Sequence, residues 1–273
     1  METKSYSLAV IGVGNMANAI ISGIVSSGTN TSNIILYDKN NSQYNGLASG
    51  RIPFIYASSI AEAVADADYV LISVKPQNYD EVLSEISQVN GCEKKIYISI
   101  GAGITSTSVS ESLKNACVIR VLPNVPMLIG KGVSVICKCP RASAEKFSYV
   151  CSVFESAGSI LLIDEDEMNR IIGVTSSSPA YVFKFINAIY QGALAQGLPD
   201  RDLLGAVCDT VIGSALMMKQ STDTPEALIS KVASKGGTTE RALYTLDENH
   251  FDDIIRSAMI ACTKRADELG AKK

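Results

Sequence analysis

Several stretches carry residue types at spacings that could do chemistry, and most are built around glycine. Gly12, Gly14 and Ala17 form G-x-G-x-x-A at the end of the apolar run 8–13 and ahead of a helical pattern. In such a strand–turn–helix the first glycine permits the tight turn. The second lets the backbone approach a pyrophosphate, and a small third residue packs helix against strand. The N–H groups that open the helix, at Asn15 and Met16, then face phosphate oxygens. At the tip of the second strand stand Asp38 and Lys39, followed by Asn40, Asn41 and Ser42. An acidic residue there takes ribose hydroxyls and favours NAD, whereas Lys39 and its polar neighbours could hold the 2′-phosphate of NADP. Both readings stay open, and Asp38 also reads as a turn-former. Three further loops end strands: Val74-Lys75-Pro76-Gln77, the turn 99–104 around Ala102, and 120–126, where two prolines flank Asn124. In an open parallel sheet ligands gather at the carboxyl ends of strands, so these loops are candidates to line a cofactor site. Prolines stiffen the Asn124 loop where backbone groups could meet a nicotinamide.

Near the other end, 234–239 reads S-K-G-G-T-T and opens a helix. Helix N-termini bind carboxylates, and Gly236 and Gly237 leave the N–H groups unobstructed. The competing reading is a simple helix cap, with Thr239 and Glu240 in the first turn.

Composition narrows the chemistry. The chain has 273 residues, 47% hydrophobic and 19% charged, with a formal net charge of −4. That mixture fills a packed core. No basic run is present, which argues against nucleic acid as a partner. No apolar stretch is long enough for a membrane helix, and the N-terminal run leads into the glycine motif rather than a cleavage site. The single histidine, His250, disfavours a histidine-based triad or metal cluster. Seven scattered cysteines suit reduced thiols and a cytoplasmic location. Cys137 and Cys139 are two apart with no matching pair, so no metal site is expected.

Stepping outward to the elements that position these loops, β-rich runs fall at 8–13, 34–37, 69–74, 96–100, 118–122, 133–137 and 160–163. Helical patterns at 17–25, 60–65, 79–89, 109–113 and 144–157 lie among them. Alternation of this kind predicts a parallel sheet covered on both faces. Beyond Asp164 only helical periodicity remains, at 168–175, 181–196, 202–219, 226–232, 239–246 and 252–268. The expected fold is therefore α/β, with a Rossmann-like dinucleotide-binding domain over 1–163 and an all-α domain over 164–273. Helices such as 203–218 are apolar almost all round, which predicts burial in a core or against a second subunit.

The ordered motifs GVGNMANAI, ISVKPQ, SIGAGI, RVLPNVP, SSSPAYVF and VASKGGTTERAL resemble those of pyrroline-5-carboxylate reductases over nearly the whole chain. The resemblance implies a Rossmann domain, a helical dimerisation domain, and a site between them completed by a neighbouring subunit. It implies a homodimer or ring of dimers that uses NADPH, with NADH the alternative, to reduce 1-pyrroline-5-carboxylate to L-proline. It assigns the substrate carboxylate to the backbone around Ser234, Gly236, Gly237 and Thr238, and the Thr239 hydroxyl to the ring nitrogen. The chain departs from the family at Ser176 and Ser178, where glycines are usual, and at Ile60, Asn187 and Lys235. Those departures keep three alternatives in view. They are a paralogue acting on another cyclic imine, a hydroxyacid dehydrogenase of the 6-phosphogluconate type, and a non-catalytic dinucleotide-binding regulator.

Overall fold

The computed structural model describes residues 5–45, 47 and 50–271. Eight strands form one sheet in the order β3-β2-β1-β4-β5-β6-β7-β8. They are β1 (Tyr6–Ile11), β2 (Thr31–Tyr37), β3 (Phe54–Tyr56), β4 (Tyr69–Ile72), β5 (Ile96–Ser99), β6 (Cys117–Leu122), β7 (Gly132–Cys137) and β8 (Gly158–Ile163). All neighbours are parallel except β6 and β7. The helices of this part are α1 (Asn15–Ser27), α2 (Ile60–Ala65), α3 (Tyr79–Ser87), α4 (Ser106–Ser112) and α5 (Ala144–Glu155).

Every residue of β1 and β4 is buried, as strands covered on both faces require. Alternate side chains serve two apolar layers. Leu8 and Val10 pack with Ile20, Ile21 and Ile24 of α1 and with Val150 and Phe154 of α5. Ala9 and Ile11 pack with Ile60 and Val64 of α2 and Val82 and Leu83 of α3. The strand order reverses direction at β1 and β4, and this switch point leaves a crevice beyond their carboxyl ends.

The chain divides into two compact units, 1–177 with 262–273, and 178–261. The division thus falls later than the change of pattern at Asp164. Met168, Ile172 and Ala266 bury with Leu122, Val135, Cys137 and Ile163, which ties 164–177 and the last turns of the final helix to the sheet. The helix expected over 168–175 is instead a 3-10 turn at Glu165–Glu167 and another at Arg170–Gly173. Asp164 and Glu167 cap the first reciprocally, which favours a separate short turn. The expected strands are all present, and β3 is additional. Its three residues are too few, and too exposed at Ile55 and Tyr56, to leave a pattern.

The second unit is helical: α6 (Ser178–Ala195), α7 (Leu203–Gln220), α8 (Pro225–Val232), α9 (Thr238–Glu248) and the start of α10 (Phe251–Ala271). Helix α6 packs on α7. Large apolar side chains stay open to solvent, among them Phe183 at 60%, Met217 at 63% and Ile260 at 63% exposure.

Candidate functional site

The glycine loop after β1 is fixed from three directions. Gly12 has φ +90°, and a Cβ there would stand 2.8 Å from Val74 Cγ1 and 2.9 Å from the Ser73 carbonyl oxygen. Only glycine fits. Its N–H donates to the Tyr37 carbonyl at 2.8 Å. Next, the buried Val13 donates its N–H to Asp38 Oδ2 at 2.7 Å, while Asp38 Oδ1 accepts from the Asn40 N–H at 2.8 Å. Asp38 therefore braces the glycine loop with one carboxylate oxygen and closes its own turn with the other.

Gly14 is the N-cap of α1, with no side chain capping the helix. A Cβ on Gly14 would meet nothing within 4 Å, so this face of the loop is open. Ala17 is fully buried, which seats α1 on the sheet, and Met16 packs partly buried against the same core. The opening is a cavity of about 430 Å³ at the sheet's switch point, lined by Gly12, Gly14, Asn15, Asp38, Lys39, Val74 and Lys75. Seven of the residues expected to hold a cofactor thus share one cavity. Its size suits a bound small molecule. The bare helix end and the open glycine face fit a dinucleotide pyrophosphate.

Tyr37, Gln43, Ser73, Asn78 and Glu81 also line it and were not expected there from spacing, and so does Ile60, a position that the resemblance sets near the adenosine side. Glu81, from α3, pairs with Lys39 at 2.7 Å, both side chains being more than half exposed. That contact raises the Lys39 pKa, chiefly through its hydrogen bond to Glu81. The pair joins residues 42 positions apart, a relation no local pattern reveals. Pro76 begins the 3-10 turn Pro76–Asn78 that leads into α3.

Ala102 and Asn124 are not among the residues that line this cavity. Ala102 is exposed on its turn. Asn124 is buried and committed: its Nδ2 donates to the Thr175 carbonyl at 3.0 Å, and its Oδ1 accepts from Val133 N–H at 2.8 Å. Beside it in sequence, Arg120 is 1% exposed and donates to Glu165 Oε1 and Asn169 Oδ1, each at 2.8 Å. Burial pushes the Glu165 carboxyl up, but hydrogen bonds from Arg120 and Ser106 outweigh it and leave the pKa below the usual carboxylate range.

In the helical unit, the 234–239 segment is a tight turn into α9. Gly236 has φ +74°, and Gly237 is the N-cap with no side-chain cap. The Gly237 N–H donates to the Ser234 carbonyl at 2.9 Å, and the Gly236 N–H to Glu240 Oε2 at 2.7 Å. Two of the N–H groups expected to cradle a carboxylate are therefore already engaged, and the helix-cap reading of Glu240 holds for Gly236. The helix's opening N–H groups at Thr238 and Thr239 have no side-chain cap. Thr239 is half-buried, and its hydroxyl makes no hydrogen bond among the described residues. Serine at 176–178 causes no backbone strain, because none of the three has positive φ, although the buried Ser176 hydroxyl has no hydrogen-bond partner among the described residues.

The chain resembles known proteins along nearly its full length. Residues 165–269 match the family model described as pyrroline-5-carboxylate reductase dimerisation. Residues 7–103 match one described as NADP oxidoreductase, coenzyme F420-dependent. It is 32% identical to pyrroline-5-carboxylate reductase of Corynebacterium melassecola over 266 residues, 96% of this chain and 98% of that protein. It is also 32% identical to the Escherichia coli K12 enzyme of that name, covering 98% and 99%. Among solved structures, the pyrroline carboxylate reductase of Plasmodium falciparum with NADP bound superimposes with a TM-score of 0.86 at 26% identity, covering 98% of this chain and 99% of that one.

Proposed function

The chain belongs to the pyrroline-5-carboxylate reductase family, and from that premise we propose which of its residues carry the reaction. The protein is an NAD(P)H-dependent oxidoreductase that reduces the C=N bond of 1-pyrroline-5-carboxylate to give L-proline, the last step of proline biosynthesis. The observation that carries the assignment of its cofactor site is the open face of Gly14 at the uncapped end of α1, inside the cavity at the β1/β4 switch point. NADPH is the cofactor, with NADH an alternative.

When bound, the cofactor supplies a hydride to the imine carbon. The protein's own share is placement. N–H groups of Gly14, Asn15 and Met16 hold the pyrophosphate. Asp38 keeps the loop in shape, and Lys39 and Lys75 supply positive charge at the cavity rim. At the substrate, the N–H groups of Thr238 and Thr239 take the carboxylate, with Ser234, Gly236 and Gly237 shaping the turn. The Thr239 hydroxyl holds the ring nitrogen. A pyrroline nitrogen is basic enough to be protonated from water, so no histidine or carboxylate pair is needed as general acid. Holding the two reactants in contact accounts for most of the acceleration.

The helical domain over 164–273 is read as the dimerisation and substrate-binding domain. Its dimerisation-family match and the exposed Phe183, Met217 and Ile260 support a homodimer or a ring of dimers. The cytoplasmic location rests on the seven scattered cysteines. A steady-state assay with 1-pyrroline-5-carboxylate and each reduced cofactor tests the whole reading. Turnover on the imine but not on a hydroxyacid is expected. Cofactor binding without turnover would favour a regulator, and turnover only on another cyclic imine a paralogue.

A further inference from the structure

Outside both candidate sites two thiols face each other. Cys117 opens β6 and Cys139 follows β7, and their Sγ atoms stand 3.7 Å apart. Both are half-buried and pack against the core layer beneath α5. Cys139 lines a surface cavity of about 370 Å³ together with Ser110, Lys138 and Arg141.

The two sulfurs are not equivalent. The turn Cys139-Pro140-Arg141-Ala142 closes with the Ala142 N–H donating to the Cys139 carbonyl at 3.1 Å. The backbone N–H groups of Ala142 and Arg141 favour the thiolate form of Cys139. The Arg141 guanidinium is fixed beside it, donating to Ser110 Oγ at 3.0 Å and to the Asn115 carbonyl. Lys146, on α5, adds positive charge near Cys117. The S–H of Cys117 lies within reach of Cys139. Together these hold the Cys139 thiol below its ordinary range, with the Cys117 hydrogen bond the largest cause and burial opposing. Cys117 is held protonated by the same hydrogen bond and by burial. Cys137, two residues from Cys139, is instead buried beside Glu165 and pushed up to about 12, chiefly by burial.

We propose that Cys139 and Cys117 form a peroxide-reactive dithiol, with Cys139 the attacking sulfur, Cys117 the resolving one, and a small hydroperoxide the substrate. The Cys139 thiolate attacks one peroxide oxygen. An S–O bond forms, the O–O bond breaks, and hydroxide leaves and is protonated to water beside Arg141. The Cys117 sulfur, losing its proton, then attacks the sulfenic sulfur. The S–S bond forms, the S–O bond breaks, and the second water leaves. Overall two thiols lose two electrons, one hydrogen peroxide gains them, and the products are one disulfide and two waters. The sulfurs need to close from 3.7 Å to about 2 Å.

The test treats the full-length protein, reduced and desalted, with a slight excess of hydrogen peroxide, then blocks remaining thiols under denaturing conditions and maps peptides by mass. A Cys117–Cys139 linkage that dithiothreitol reverses is expected, formed at least tenfold faster than any oxidation of Cys151 or Cys208. In Cys117→Ser, Cys139 should stop at sulfenic acid when dimedone is present to trap it, and without dimedone should pass on to sulfinic acid. In Cys139→Ser, Cys117 should stay reduced. Cys117→Ala, with far-ultraviolet circular dichroism as a fold control, should give the same trapped sulfenic acid more slowly, because it also removes the hydrogen bond that favours the Cys139 thiolate. Oxidation of Cys139 no faster than of Cys151, or native protein accumulating Cys139 sulfenic acid with no linkage, would overturn the proposal.

Discussion

Asp38→Asn separates a residue that contacts the cofactor from one that shapes the loop that does. The carboxylate accepts Val13 N–H at 2.7 Å and Asn40 N–H at 2.8 Å, one on each oxygen. An amide of the same shape keeps one acceptor and turns an NH₂ toward the other donor. A hydrogen bond to a charged group is worth about 1.5–3 kcal/mol. Val13 is fully buried, so if its N–H loses its partner no water replaces it. A net loss of roughly 2 kcal/mol follows. The loss divides between folding and binding: the part that the free loop escapes by relaxing falls on the proposed cofactor cradle, up to roughly thirtyfold in Kd if all of it does. The rest lowers the melting temperature, by up to about 4–8 °C. Fluorescence titration with NADPH and NADH, alongside thermal denaturation, measures both effects. Both cofactors should bind more weakly, NADPH losing less because the carboxylate that repels its 2′-phosphate is gone. An unmoved melting temperature with NADH binding alone impaired would refute the bracing role and leave only a ribose contact.

Four further outcomes follow from the same geometry. Gly14→Val meets open space, so the fold should survive while NADPH affinity drops by about two orders of magnitude or more; retained affinity would remove this loop from the cofactor site. Thr239→Ala and Thr239→Val should each lower kcat/KM for the imine about tenfold to hundredfold, at about 1.5–3 kcal/mol, with cofactor affinity unchanged; full activity in the valine variant would show that the hydroxyl only packs. Glu165→Gln leaves Arg120 buried without its counter-ion and should cost about 2–3 kcal/mol in urea denaturation at pH 7. The folded Glu165 pKa lies below the unfolded one, so this stabilisation is present above about pH 4.3 and is lost as pH falls through the folded value. The gap between variant and wild type should therefore narrow at acid pH, and a constant gap would assign the loss to packing. Sedimentation at micromolar concentration should give a mass at least twice 29.0 kDa; a monomer would contradict burial of the helical unit's apolar faces between subunits.

The sheet was legible because parallel strands buried on both faces leave continuous apolar runs, as in 8–11 of β1 and Tyr69–Ile72. The glycine motif was legible for a different reason: Gly12 sits where a Cβ would collide with Val74, so the sequence has no freedom there. What stayed hidden depends on distance along the chain. The short edge strand β3 has too few buried residues to show a period, and the 164–177 segment joins the sheet through Met168 and Ile172, which look like any helical pair. The Lys39–Glu81 contact and the Asn124 clamp each join remote segments, and spacing carries no trace of either.

Asp38 shows how a residue can stand where it is expected and carry a further role. Its position at the end of β2 follows from strand pattern alone, and it lines the cavity at the sheet's switch point. The expected ribose contact, however, asks for carboxylate lone pairs that Val13 and Asn40 already use. Each oxygen retains a second lone pair, so bracing and ribose binding are compatible, but only the brace acts before any cofactor arrives. The 234–239 turn makes the same point from the other side. Glycines there were read as clearing N–H groups for a carboxylate, yet Gly236 and Gly237 donate inward, to Glu240 and Ser234. The glycines shape the turn, and the open donors belong to the first helical residues after it. An anion at this helix end should therefore be lost when Thr238 and Thr239 are displaced from the first turn, as by inserting one residue after Gly237, while Gly236→Ala, strained at φ +74°, should act mainly through stability.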